Sequence, residues 1–132
     1  MHEHKVKVRF CETDLLGHVN NNNFFVYMED SRIAFFDDLN LVGNEWNFIL
    51  ASTKCDFIKQ VYFNQTLLIQ SHVVKIGNSS FHFEQDLYEQ ESGDLVAKGM
   101  SVIVQFDFNT QVSTPLTDDM KQELASHQLA AQ

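Results

Sequence analysis

Residues 5–10 alternate strictly. Lys5, Lys7 and Arg9 fall on one side and Val6, Val8 and Phe10 on the other, the period-2 pattern of a half-buried strand. The pattern stops at a polar loop over residues 12–23, which holds Gly17 and four consecutive asparagines, residue types that suit turns and helix starts. From Phe24 to about Leu39 the period becomes helical. Phe24, Met28, Phe35 and Leu39 share a face, and Phe25, Tyr27, Ile33 and Phe36 widen it beyond a stripe, so the helix is expected to be buried on most sides. Glu29 and Arg32 are spaced to pair along it. After a break at Gly43-Asn44, strand patterns follow at 48–58, 66–76, 79–89 and 95–108. Phe81, Phe83 and Leu87 share one face of the third of these; Val96, Met100, Val102, Val104 and Phe106 share one face of the fourth. Gly77-Asn78 and Ser92-Gly93-Asp94 mark turns. Beyond Pro115, Thr117 is placed to cap a short terminal helix.

The order is therefore strand, long apolar helix, four strands joined largely by hairpins, and a tail helix. Its economical packing is an α+β fold in which an antiparallel five-stranded sheet curls around one central helix. A chain of 132 residues fits a single domain spanning residues 1–132. Such a sheet leaves edges open, and edge-to-edge pairing of two copies is a natural solution.

Composition narrows the function. Hydrophobic residues make up 44% of the chain, enough for a core. Eighteen acids against nine bases give a net charge of -9, which argues against a nucleic-acid partner. The same field opposes a phosphate-bearing ligand unless basic residues gather locally. The N-terminus runs straight into a strand pattern, with no signal-peptide core and no membrane-length apolar stretch. Cys11 and Cys55 show neither Cys-x-x-Cys nor Cys/His spacing. A cytoplasmic chain without membrane association is expected, its free thiols packing and no metal bound.

The chemistry concentrates at residues 9–21. Asp14 closes a strand and opens a loop, and a buried helix begins soon after. A helix N-terminus offers unpaired N–H groups and partial positive charge. A carboxylate beside such donors is a minimal hydrolytic site: the donors polarise a carbonyl, and the carboxylate attacks it or activates a water.

The run Arg9-Phe10-Cys11-Glu12-Thr13-Asp14-Leu15-Leu16-Gly17-His18-Val19-Asn20-Asn21, continuing through the aromatic helix to Glu29 and Arg32, resembles the signature of hotdog-fold thioesterases of the 4-hydroxybenzoyl-CoA thioesterase group. Its Gly-His-Val-Asn-Asn form is similar to the long-chain acyl-CoA thioesterase branch. Ile76-Gly77-Asn78-Ser79-Ser80-Phe81, Leu95-Val96-Ala97-Lys98-Gly99 and Val104-Gln105-Phe106-Asp107-Phe108 extend the resemblance along the chain. One departure is Ile58-Lys59-Gln60-Val61-Tyr62, where the family often carries a proline; it bears on loop shape.

The resemblance implies an acyl-CoA thioesterase with no cofactor beyond the CoA of its substrate. In it Asp14 is the catalytic carboxylate, nucleophile or general base, and the backbone N–H of Asn21 polarises the thioester carbonyl. Gly17 permits the tight loop, and Ser79 and Ser80 lie near CoA. It also implies a dimer, or a dimer of dimers, with CoA across the interface. Lys75 is a candidate phosphate contact on charge and placement, and Asn20 a candidate ligand contact. His18 is open between binding or orienting at the site and fixing the loop. Glu29 and Arg32 are read as a structural pair, His72 and His82 as structural or solvent-facing, and His2 and His4 as a frayed terminus. An acyl-carrier-protein thioester is the alternative substrate. A non-catalytic acyl or acyl-carrier binding module and a hotdog dehydratase are the alternative functions. Against the dehydratase, Gly17-His18 leads into Val19-Asn20-Asn21 rather than a Phe-Pro-Gly-like run.

Overall fold

In a computed structural model, which describes residues 2–39 and 47–128, the N-terminal alternation becomes strand β1, His2–Lys7. The strand starts earlier than its sequence pattern. His2 and His4 do not fray: the strand is zipped to a neighbour from His2↔Ser71 to Lys7↔Thr66. The buried His2 ring sets Nε2 2.6 Å from Oδ2 of Asp38 and lies edge-on to Phe35. Phe10, assigned to the strand by alternation, instead opens a single 3₁₀ turn, Phe10–Glu12, and is exposed.

Helix α1 is Asn21–Leu39. The remaining elements are β2 (Phe48–Phe57), β3 (Thr66–Ile76), β4 (Ser80–Glu89), β5 (Leu95–Asp107), β6 (Val112–Ser113) and α2 (Asp118–Ala125). The strands form one antiparallel sheet in the order β1-β3-β4-β5-β2. The two residues of β6 fold back on β5, a sixth strand beyond the five expected. Thr117 caps α2 as its sequence position predicts, its Oγ1 accepting from the Met120 N–H at 3.2 Å. The Gly43-Asn44 break lies outside the described residues.

Helix α1 crosses one face of the sheet and buries Phe24, Tyr27, Met28, Ser31, Arg32, Phe35 and Phe36. Phe81, Phe83 and Leu87 meet it from β4, as their alternation predicts. On β5 the residues buried toward the helix are Ala97, Gly99, Ser101 and Ile103, while Met100 lies exposed on the other face. Val96 of the more apolar set is buried in the core, but Met100, Val102 and Val104 face away, where the helix approaches the strand closely. A Cβ built on Gly99 would stand 2.5 Å from Met28 Cε.

Two apolar clusters result. One, around Phe24, Tyr27, Met28, Ile69 and Leu87, sits under the first half of α1; the other, around Phe35, Phe36, Phe48, Phe81, Phe83 and Leu124, lies under its second half. A polar layer separates them. Ser31 meets Ser71 at 3.2 Å, Gln85 Nε2 donates to the Met28 carbonyl at 3.0 Å, and Arg32 donates to Ser101 at 3.4 Å. Arg32 therefore bonds to the sheet and not to Glu29; no ion pair joins those two among the described residues. Burial lowers the Arg32 pKa, while the nearby charge of Glu29 raises it.

The far face of α1 departs from expectation. Val26 and Ile33 are more than two-fifths exposed, so the helix is covered on one side rather than most. Cys11 is likewise exposed rather than packed, whereas Cys55 packs against the first cluster and burial pushes its thiol up to about 11. His72 is buried with Nε2 2.8 Å from Glu84 Oε2. No described helix is long and apolar enough to cross a membrane.

Candidate active site

The loop between β1 and α1 is a short antiparallel ladder. The Asn20 N–H donates to the Glu12 carbonyl at 3.0 Å, Thr13 bridges Val19, and the Asp14 N–H donates to the His18 carbonyl at 2.8 Å. Residues 12–14 thus run beside 18–20, and the turn at their tip needs a positive φ, which Gly17 supplies at 81°. A second seam fixes the outer strand of this ladder: the Val19 N–H donates to the Val61 carbonyl at 2.7 Å, and His18 bridges Tyr62.

Asp14 stands at the tip. Its Oδ1 accepts the N–H of Leu16 at 2.9 Å and of His18 at 3.3 Å, an Asx-type turn that aims the side chain. Its Oδ2 accepts from no described group. The side chain is exposed, as are its chain neighbours Leu15 and Leu16. The His18 imidazole makes no bond to Asp14 and packs edge-on against Tyr62, ring centroids 5.3 Å apart.

Helix α1 starts directly after the ladder. Asn20 caps it: its Oδ1 accepts the Asn22 N–H at 3.0 Å and its carbonyl accepts the Asn23 N–H at 2.9 Å. The Asn21 N–H, at the first helical position, has no acceptor among the described residues, as the first turn of a helix leaves it. Along the ladder Asp14 lies two residue steps, about 7 Å, from the level of Asn20.

The crevice at this helix end has a volume of about 120 Å³ and is lined by Asn21, Phe24, Phe57, Ile58, Lys59 and Gln60. Lys59, in an ion pair with Asp94 at 3.0 Å, is the cation nearest this crevice, and the sequence reading passed over it. The segment that departs from the family's proline is the one that forms this wall. Further along α1 a cavity of about 430 Å³ opens toward β2, lined by Glu29, Arg32, Ile33, Phe36, Phe48 and Leu50 among others. From Asn21 to Arg32 the helix advances about 16 Å, and each of the two openings is lined by residues of both α1 and β2.

Gly17 and His18 thus share one turn with Asp14, whereas Asn20 and Asn21 follow at the helix end, where Asp14 is not among the residues lining the crevice. Lys75, Ser79 and Ser80 lie elsewhere. Lys75 is exposed beside the register shift of β3, the Ser79 carbonyl accepts from Gln105 at 2.9 Å, and the Ser80 carbonyl accepts from Gly77 at 2.7 Å. They sit at the end of β3 opposite the Asp14 loop, and the ten steps from Thr66 to Ile76 span about 33 Å. No group of three or more metal-ligating side chains is gathered among the described residues.

Glu12 is the other residue missed. Its carboxylate, nearly fully buried, accepts from the Arg9 backbone and guanidinium and from the Tyr27 hydroxyl. The sequence offered a signal, an acid fixed three residues after Arg9 and two before Asp14, but not its burial.

Comparison with known proteins agrees with this architecture. The chain is similar to the YsmA protein of Bacillus subtilis strain 168, 34% identical over 122 residues that cover 91% of this chain and 82% of that one. It superposes on a predicted thioesterase from Bacillus stearothermophilus with a TM-score of 0.89 at 28% identity, covering 98% of each chain. A thioesterase from Thermus thermophilus, solved with coenzyme A and zinc, matches with a TM-score of 0.83 at 27% identity over 94% of this chain and 92% of that one. Residues 8–124 match the thioesterase-like superfamily, and to that family, with its hotdog fold, the chain belongs.

Proposed function

We propose that this chain is an acyl-CoA thioesterase of the 4-hydroxybenzoyl-CoA thioesterase group, releasing a free acid and coenzyme A. It acts in the cytoplasm as a single domain spanning residues 1–132. The observation that supports the reading is that Asp14, with one carboxylate oxygen held by loop amides, stands on the same ladder that leads through Asn20 into α1 and the unbonded Asn21 N–H. In this reading the thioester carbonyl points at the Asn21 N–H, and the helix end stabilises the oxyanion as it forms. Asp14 either attacks the carbonyl carbon, giving a mixed anhydride that water then opens, or takes a proton from a water that attacks directly. The C–S bond breaks and coenzyme A departs as a thiolate, so no strong acid is needed. The coenzyme A in the Thermus thermophilus relative supports the choice of thioester. The acyl group runs between α1 and β2.

The working unit is a dimer, or a dimer of dimers. Among the described residues β2 pairs only with β5, so its outer edge is open. Leu50 and Phe57 on that strand, Ile58 beside it, and Val26 and Ile33 on α1 are exposed. Antiparallel pairing of two β2 edges covers them and sets the Phe57 end of one copy against the Phe48 end of the other. The end that carries Lys75, Ser79 and Ser80 in one copy then lies beside the Asp14 loop of the other. This accounts for their separation within one chain and lets them contact CoA there.

A thiol-release assay over acyl-CoA and acyl-carrier-protein thioesters tests the reading. Wild type is expected to release thiol and Asp14→Asn to lose turnover by about 10³-fold or more, with folding and oligomeric state retained. An Asp14→Asn protein that hydrolyses at the wild-type rate sinks the site. A folded wild type that binds these thioesters without cleaving any of them makes the chain a binding module, and one that hydrates an enoyl thioester makes it a dehydratase.

A further inference from the structure

Residue 12 joins the Asp14 loop to α1 through both its main chain and its side chain. Its carbonyl accepts the Asn20 N–H at 3.0 Å and the Asn23 side-chain amide at 2.9 Å, so the cap and first turn of α1 hang from it. Its Oε1 accepts the Arg9 N–H at 2.8 Å and the Tyr27 hydroxyl at 3.0 Å; its Oε2 accepts Arg9 Nε at 3.2 Å and Nη2 at 2.8 Å. Tyr27 is fully buried in the second turn of the helix, whereas the Arg9 guanidinium lies over the carboxylate from the solvent side. Three parts of the chain that the backbone connects only through a loop are thereby fixed to one buried carboxylate: the end of β1, the stem of the ladder and the helix.

We propose that Glu12 is a positioning residue, whose buried carboxylate between Arg9 and Tyr27 sets the separation of the Asp14 carboxylate from the Asn21 N–H. It touches no reacting atom. It holds the ladder on which Asp14 stands and the helix that carries the Asn21 amide as one body. Burial alone raises the pKa of such a carboxyl, but the bonds from Arg9 and Tyr27 outweigh it and hold Glu12 below the usual glutamate range, which favours its ionised form. Burial first, and then the same contact, push the Tyr27 hydroxyl pKa upward, keeping it a donor. A misplacement of about 1 Å at reacting atoms lowers rate by up to about 100-fold. The penalty belongs to the chemical step and not to binding of the CoA moiety.

The proposal rests on the thioesterase reading of Asp14, and its test separates the two. Steady-state kinetics are measured on one acyl-CoA that wild type turns over, for Glu12→Gln, Tyr27→Phe, Arg9→Met, the Glu12→Gln/Tyr27→Phe double variant and Asp14→Asn. Coenzyme A affinity by calorimetry and thermal melting are measured on the same samples. Glu12→Gln and Tyr27→Phe are expected to lower kcat at least tenfold with KM and coenzyme A affinity within about threefold. The double variant should be no slower than Glu12→Gln by more than about twofold, since both break one link. Arg9→Met, at an exposed side chain that leaves the core intact, should lower kcat several-fold, which keeps the test decisive if the buried variants fail to fold. Wild-type kcat in any folded variant overturns the proposal. So does parallel loss of kcat, KM and coenzyme A affinity, the mark of general loosening. Turnover by Asp14→Asn at the wild-type rate instead overturns the reading of Asp14 itself, whatever the Glu12 variants do.

Discussion

Asp14 and His18 hold each other through the backbone. The Asp14 N–H donates to the His18 carbonyl at 2.8 Å, and the His18 N–H returns to the Asp14 carboxylate at 3.3 Å, while the imidazole turns away to Tyr62. The ring is thus a packing group and the peptide is the orienting one. His18→Phe preserves the peptide and an edge-on ring contact, so kcat should stay within about threefold of wild type. A loss as deep as that of Asp14→Asn would return the imidazole to the chemistry.

The Asn21 amide can be removed without breaking the helix. The first helical position is where proline is best tolerated, because its missing N–H has no intrahelical acceptor to satisfy. Asn21→Pro should therefore fold while losing about 10²–10³ in kcat, the size expected for one oxyanion donor. Asn21→Ala keeps the N–H and should remain near wild type. Equal rates for the two folded variants, read in the same thiol-release assay, would remove the backbone amide from the mechanism.

Much of this arrangement is legible in the chain itself. Alternation on β4 identifies Phe81, Phe83 and Leu87 as core, because that signal is local, whereas the helix legible from Phe24 begins three residues earlier, at Asn21. Three features escape such reading because they depend on partners distant in sequence. His2 looks like a terminus until Asp38 and Phe35, more than thirty residues on, close over it. The helix-facing side of β5 is its less apolar side, since close approach to α1 selects Gly99 and Ser101 over the valines opposite. Glu12 reads as a loop acid until Tyr27 reaches it from the helix. The separation of Ser79 and Ser80 from Asp14 follows only from strand order, which no local pattern encodes.

The C-terminal tail is fastened by a group that titrates. The His127 carbonyl accepts the Val73 N–H at 3.1 Å, and the ring packs edge-on to Phe35, across from His2. Burial first, then the charge of the N-terminal amine and that of His2, lower the His127 pKa, against a smaller opposing effect of Glu123. The folded state therefore favours the neutral ring, and the unfolded chain binds the proton more readily. The resulting stability is complete above the ordinary histidine value of about 6.5 and is lost as pH falls through the lower folded value. Hydrogen exchange of the Val73 amide should accelerate over that window beyond the intrinsic trend, and His127→Phe should abolish the excess. An unchanged pH dependence in that variant would assign the effect elsewhere.

Gly99 sets how deeply α1 sits, and hence where its N-terminus meets the Asp14 ladder. A Cβ at residue 99 would stand 2.5 Å from Met28 Cε and 2.8 Å from its sulfur, but 3.5 Å from Cγ. Met28 is fully buried, so the far end of its side chain can move aside only against packed neighbours. Gly99→Ala should therefore destabilise by about 1–3 kcal/mol, the usual effect of overpacking. Met28→Val deletes the two clashing atoms and keeps the carbon that clears the new methyl. Introduced into Gly99→Ala, it should recover at least about 1 kcal/mol relative to the sum of the single changes, because contacting residues couple on that scale. Urea unfolding of the four proteins gives the cycle directly. Additivity within about 0.5 kcal/mol would mean that the helix shifts outward to admit the methyl, and in that case kcat of Gly99→Ala should fall even where its stability does not.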